Sequence, residues 1–338
     1  MNKQIMDKDW GYCRNILQKV SRTFSLNITQ LEGDVFKIVL VGYLLFRIAD
    51  TFEDNLYQSE MEKIKDLKDF SEIFKGNKGL IERLKLYESL KFRWEEDSDS
   101  KHLVENGHIV LRSYFDLPEI YRKIVDPLIV ETSDGMAKFQ RLKSENNSRI
   151  FQLTDFKELE DYCYYVAGVV GIMLTKIFSR TNSIRKKRLE LENFQVRFGI
   201  ALQLINIIKD YQKDISRGWC YIPLSITEKH NVKLEMINSL SVKQRQGIIK
   251  NMLPPIITYL DSSLSYIKLL PLQEQSIRMF CIIPFVLGYN TLDKIAKLEG
   301  NKISREEVAA IVNKSITYSK SNISLEEDYI SIRDRLSS

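Results

Sequence analysis

The chain has 338 residues, 44% of them hydrophobic and 28% charged, the proportions of a globular protein able to bury a large core, which excludes intrinsic disorder. Its net charge of +5, from 50 basic and 45 acidic side chains, implies no obligatory nucleic-acid partner and suits anionic substrates or a membrane surface equally well. Cys13, Cys163, Cys220 and Cys281 form no CxxC pair and His102, His108 and His230 no HxxxH pair. This argues against a disulfide framework and a zinc centre and fits a reducing compartment.

The first residues, "MNKQIMDKDWGYCRN", are polar and lack the apolar core of an export signal. Apolar residues then recur at three and four spacing through 35–52, 156–178, 193–215 and 276–298, which predicts long helices. With seven prolines and fourteen glycines, breakers are few, and no alternating strand pattern stands out. The fold class expected is all-α. Connections are expected at "TNSIRKKR" (181–188), "SRGWCYIP" (216–223) and "GNKIS" (300–304). A length prior of roughly 150 residues per domain suggests two domains, but the longest loop-like stretch, "EEDSDSK" (95–101), has no Pro or Gly run. A single domain over 1–338 is therefore expected. The uncharged runs Tyr162 to Thr175 and Met279 to Leu292 fall short of the roughly 20 residues a spanning helix needs. The end "SLEEDYISIRDRLSS" is too charged to serve as an anchor.

Two acidic clusters interrupt these apolar helices. "RIADTFED" (47–54) places Asp50 and Asp54 four apart with Glu53 between them, and "QLINIIKDYQKD" (203–214) places Asn206, Asp210 and Asp214 along one face. Like charges at that spacing cost a helix roughly 0.2–0.5 kcal/mol per pair, so helix stability explains neither cluster, and acids in helices this apolar need a cationic partner. Carboxylates with an amide oxygen, and no His or Cys nearby, suit Mg²⁺. That ion is usually held by one or two carboxylates together with substrate phosphates, so diphosphate oxygens are the natural missing ligands. Arg22 in "VSRTF" and Arg47 offer guanidinium forks for those oxygens.

"VSRTFSLNI", "GYLLFRIADTFED", "YCYYVAGVVG" and "LQLINIIKDYQKDISRGWCYIP", in this order and spacing, resemble the squalene and phytoene synthases, head-to-head prenyltransferases of the isoprenoid synthase fold. The resemblance covers about residues 10 to 225 strongly, and "DTFED" is closest to the squalene synthase form. It implies a single helical bundle with a central cavity, core motifs over 20–223 and C-terminal helices over 224–338 completing the bundle. It further implies that Asp50, Glu53 and Asp54 form the first magnesium-binding motif and Asn206, Asp210 and Asp214 the second. Gln203 and Lys209 flank the latter. Ser21, Arg22, Phe24 and Arg47 match diphosphate-contacting positions, Tyr43 lies on the same helix as Arg47, and Tyr162 matches a tyrosine that handles a proton. Asn55, where an acid is common, and Lys209, where Arg is common, depart from the pattern.

The activity implied is condensation of two farnesyl diphosphates, with Mg²⁺, through presqualene diphosphate to squalene, with NADPH as reductant. Ala167, Gly168 and Gly171 are read both as close helix packing and as room for a prenyl chain. Lys302 and Arg305 in "NKISREEV" correspond to a basic segment that contacts reduced nicotinamide, and no GxGxxG after a strand suggests a Rossmann domain. A cytoplasmic protein, peripheral to the membrane because its product is apolar, is expected. Phytoene or dehydrosqualene synthesis, synthesis that stops at presqualene diphosphate, and a non-catalytic relative serving in assembly or at a membrane surface remain open alternatives.

Overall fold

The apolar run "VFKIVLVGYLLFRIADTF" forms one long helix, Gly33–Glu53, in which almost every residue from Ile38 to Glu53 is buried and only Tyr43, Arg47 and Asp50 are half-buried. A computed structural model describes residues 3–93, 98–146 and 148–337, without the side chains of Arg22, Glu235, Met236 and Asn238. Part of "EEDSDSK" lies outside the described residues. The chain divides into two compact units, Met1–Asn147 and Ser148–Ser338.

The first unit contains α1 (Lys3–Val20), α2 (Arg22–Ile28), α3 (Gly33–Glu53), α4 (Glu60–Phe74), α5 (Leu80–Glu88), α6 (Asp99–Glu105), α7 (Gly107–Phe115) and α8 (Glu119–Glu145). Side-chain caps start several of them. Ser21 caps α2, Ser98 caps α6, and Ser59 with Glu62 closes a reciprocal capping box on α4, satisfying amides that the first helical turn leaves unpaired. α4 packs along α8, and α3 lies against α4, α7 and α8.

The second unit contains a short strand β1 (Phe151–Gln152), α9 (Phe156–Cys163), a π-helical turn at Tyr164–Gly168, α10 (Val169–Phe178), α11 (Asn182–Arg185), α12 (Arg188–Glu192), α13 (Gln195–Ser216), β2 (Trp219–Cys220), α14 (Leu224–Thr227), α15 (Val242–Leu269), α16 (Gln275–Ala296), α17 (Arg305–Lys320) and α18 (Asn322–Ser337). The expected connection at 181–188 is wound into the short helices α11 and α12, with Arg185 to Arg188 exposed. β1 and β2 pair in parallel with Phe151 opposite Trp219, a two-residue sheet in an otherwise helical fold.

Small residues let α13 approach the π turn and α10 closely. A Cβ on Gly171 would lie 2.0 Å from the carbonyl oxygen of Gln195, and one on Gly199 would lie 2.1 Å from that of Ala167. The space beside Gly171 is thus filled by backbone, which leaves packing and not room for a prenyl chain as its role. Because backbone cannot swing aside as a side chain can, Gly199→Ala is expected to cost at least about 2 kcal/mol, read as a lower urea midpoint with an unchanged slope. An unchanged midpoint would contradict this packing.

Two helical stretches, Phe156–Phe178 and Gln275–Ala296, are long and apolar enough to cross a membrane by length and composition alone. In the second, 72% of the apolar window is buried within the protein, as in the core helix of a globular unit.

Candidate functional site

In the first unit, Tyr43, Arg47, Asp50 and Asp54 fall within an arc of about 60° on α3 and its C-terminal cap. Asp54 caps the helix and its backbone amide donates to the Asp50 carbonyl at 2.9 Å. Ser21 and Phe24, at the start of α2, join this stripe: the Ser21 side chain lies close enough to Tyr43 to influence its phenol, and the rings of Phe24 and Tyr43 lie 5.2 Å apart. Burial pushes the Tyr43 phenol up, with Ser21 and Arg47 opposing. Six of the expected residues are therefore gathered. The side chain of Arg22 lies outside the described residues.

Arg47 approaches Asp50 at 3.8 Å and donates to Ser100 Oγ at 3.4 Å, while its buried Nε has no hydrogen-bond partner among the described residues. A buried N–H left unpaired costs free energy, and an anionic oxygen delivered to this face would satisfy it. The Asp50 side chain keeps 40% of its exposure, yet the protein packed around it pushes its carboxyl up to about 6; Arg47 opposes this and Asp54 reinforces it.

Glu53 leaves the stripe. It is buried against Lys63 of α4 and Gln140 of α8, and burial, reinforced by Asp54 and Asp50, pushes its carboxyl up to about 8. The folded chain then holds a proton on Glu53 that the unfolded chain, with its carboxyl near the ordinary 4.5, has lost. Stability contributed by this group is present below the unfolded value and falls as pH rises towards about 8. Glu53→Gln is expected to remove this slope, so the urea midpoint of the variant gains on wild type between pH 5.5 and 8.5; a constant difference across that range would contradict the assignment.

Asn55, the departure from the acidic pattern, is committed to the following loop. It accepts from the Tyr57 amide at 3.0 Å and donates to Gln58 Oε1 at 2.7 Å and to the Arg93 carbonyl at 3.1 Å. Its amide acts as the local turn-former that Asn commonly is.

In the second unit, Gln203, Asn206, Asp210 and Asp214 fall within about 80° on α13 and are all half-buried. The Lys209 Nζ donates to Asn206 Oδ1 at 2.7 Å and sits 3.3 Å from Asp210 Oδ2, so an ammonium offsets part of the negative charge of this face. The Lys209 carbonyl also accepts from Asn301 Nδ2 at 2.9 Å, which ties the 297–304 loop to α13. That loop leaves α16 through Leu298, held in the left-handed region at φ 59. Lys302 and Arg305 are exposed, Arg305 opening α17 beneath the Ser304–Glu307 capping box.

Tyr162 is buried among aromatic rings that the sequence did not single out. Its ring stacks on Tyr221 at 4.5 Å and lies 6.3 Å from Trp219, and the Tyr221 hydroxyl donates to the Tyr162 oxygen at 2.9 Å. The only available signal was the alternation of Trp219 and Tyr221 after Gly218, which places both rings on one side of an extended segment. Among the described residues, no group of three or more His, Cys, Asp or Glu side chains forms a ready metal cage.

A sequence profile described as Squalene/phytoene synthase matches residues 17–311. The chain belongs to the squalene/phytoene synthase family. It is 28% identical over 281 residues to a squalene synthase of Schizosaccharomyces pombe, covering 83% of this chain and 58% of that protein. It is 29% identical over 321 residues to one of Solanum lycopersicum, covering 91% and 71%. The fold is that of the complex structure of TcSQS with ligand BPH1237, with a TM-score of 0.79 at 22% identity over 96% of this chain and 91% of that one. It is also that of a dehydrosqualene synthase in complex with ligand, with a TM-score of 0.68 at 20% identity over 94% and 98%. These are isoprenoid synthase folds, as the motifs implied.

Proposed function

We propose that the chain is a prenyltransferase of the squalene synthase type, joining two farnesyl diphosphates head to head through presqualene diphosphate and reducing that product to squalene with NADPH. The observation that carries this reading is the stripe of Ser21, Tyr43, Arg47, Asp50 and Asp54 on α2 and α3, with a buried guanidinium N–H of Arg47 that has no acceptor among the described residues. The curated relatives named as squalene synthases support it.

The donors fit magnesium: Asp50 and Asp54 in one motif, and Asn206, Asp210 and Asp214 in the other, offer carboxylate and amide oxygens with no His or Cys, whereas Glu53, expected in the first set, is buried against Lys63 and Gln140 and does not fit it. Bound Mg²⁺ supplies Lewis-acid withdrawal of charge from a leaving diphosphate. Arg47, with Arg22, holds diphosphate oxygens by guanidinium donors, and the Ser21 hydroxyl and Lys209 ammonium add donors of their own. The aromatic faces of Phe24 and Tyr43 shelter the allylic end from water, which a carbocation cannot tolerate. Gln203 extends the polar face of α13, and the Tyr162 phenol handles the proton lost when the cyclopropane closes. The exposed cations Lys302 and Arg305 are assigned to the phosphate of NADPH, the hydride donor. We read the protein as cytoplasmic, and an apolar product supports its working at a membrane surface.

Stoichiometry tests the reading. With Mg²⁺ and NADPH, each squalene formed should accompany two released diphosphates and one oxidised NADPH. Without NADPH, one diphosphate should be released per presqualene diphosphate, and chelation of the metal should stop release altogether. Release that ignores NADPH, with dehydrosqualene as product, would assign the carotenoid branch instead.

A further inference from the structure

Tyr221 is pinned on both sides. Gly218, at φ 78, turns the chain out of α13, and the following residues pair with β1: the Phe151 amide donates to the Gly218 carbonyl at 3.0 Å and the Leu153 amide to the Cys220 carbonyl at 3.2 Å. One residue beyond Tyr221, the Ile222 carbonyl accepts from Gln152 Nε2 at 2.9 Å. Trp219 and Tyr221, two apart in extended backbone, project to the same side, and their rings stack at 5.3 Å and 8°. Phe151 meets Trp219 edge-on at 5.3 Å. A two-residue sheet thus anchors a row of rings that ends on Tyr162.

Ring packing alone would be served equally by phenylalanine. Tyr221 instead brings its hydroxyl to within 2.9 Å of the Tyr162 oxygen as donor, while the rings lie 23° from parallel. Because the Tyr162 oxygen accepts from Tyr221, its own hydrogen is directed away from Tyr221, which restricts the rotation of that hydroxyl. We propose that Tyr221 is a positioning residue for Tyr162: its hydroxyl holds the Tyr162 phenol in one orientation, so that the proton-handling side of that oxygen faces the reacting carbons. Tyr221 acts only through Tyr162. This inference rests on the assignment of Tyr162 to proton handling.

Tyr221→Phe keeps the ring stack and deletes the donor. It is expected to lower kcat about 10- to 100-fold, within the range of a positioned proton transfer, with KM for farnesyl diphosphate within about twofold and the melting temperature unchanged. Tyr162→Phe is expected to lose at least as much. The double variant should be no slower than Tyr162→Phe alone, since a group acting through another adds nothing once that other is gone. Tyr221→His, which restores a donor, should recover part of the rate. Wild-type kcat in Tyr221→Phe, or losses that multiply in the double variant, overturns the proposal. A rate loss that follows a lowered melting temperature and is not recovered in Tyr221→His also overturns it, by assigning Tyr221 to packing. Wild-type protein that makes another prenyl product overturns the squalene reading alone, and the same cycle run on that product still decides the role of Tyr221.

Discussion

Asp210→Asn is expected to reduce turnover by roughly 10³-fold while leaving the fold intact, and Asp54→Asn to do the same. Each substitution keeps the shape of the side chain and removes one negative oxygen from a face where charge must be matched by a cation. Loss of a single preorganised electrostatic contact commonly costs about 10²–10³ in rate, and a metal ligand also governs occupancy. Stability should respond differently. Asp210 keeps 39% of its side-chain exposure, and removing its charge relieves repulsion with Asp214 of about 0.2–0.5 kcal/mol while giving up a half-exposed pair with Lys209 of about the same size. Melting temperature should hold while the rate collapses. Retained turnover in both variants would count against catalysis at these motifs and favour a non-catalytic role for the chain.

Arg278→Met should have the largest effect on folding. Arg278 is fully buried on α16, and its guanidinium donates to the carbonyls of Ser319 at 2.8 Å, Ile267 at 2.9 Å, Leu270 at 2.7 Å and Tyr318 at 3.4 Å, and to Asn322 Oδ1 at 2.7 Å. Those acceptors are the last carbonyls of α15 and α17 and the start of α18, so one side chain closes three helix ends. Burial lowers its pKa, as desolvation of a cation does, and the carbonyl dipoles offset that cost. Methionine fills most of the volume but leaves several buried carbonyls without donors. About 3–5 kcal/mol of stability should be lost, a large share of the roughly 5–15 kcal/mol typical of a folded protein. Chemical denaturation measures it; a loss under 1 kcal/mol would mean that water replaces the guanidinium.

Local pattern carried much of this in the sequence. The period of apolar residues located α3, α13 and α16 to within about two residues, and four-residue spacing placed Asp50 with Asp54 and Asn206 with Asp210 and Asp214 on common faces. What escaped depends on contacts between distant residues. Nothing near position 164 announces a π turn, and nothing in "GWCYIP" says that Trp219 pairs with Phe151 or that Tyr221 reaches Tyr162. Glu53 reads as part of the acidic motif, but its direction is set by Lys63 and Gln140 on other helices. Arg278 looks like one charge in an apolar run, and its acceptors lie 8 to 44 residues away.

The most direct test of head-to-head condensation is to incubate the purified protein with farnesyl diphosphate and Mg²⁺, with and without NADPH, and identify the extracted products by mass spectrometry. Squalene with NADPH and presqualene diphosphate without it is the predicted result. No product from farnesyl diphosphate under either condition would contradict it.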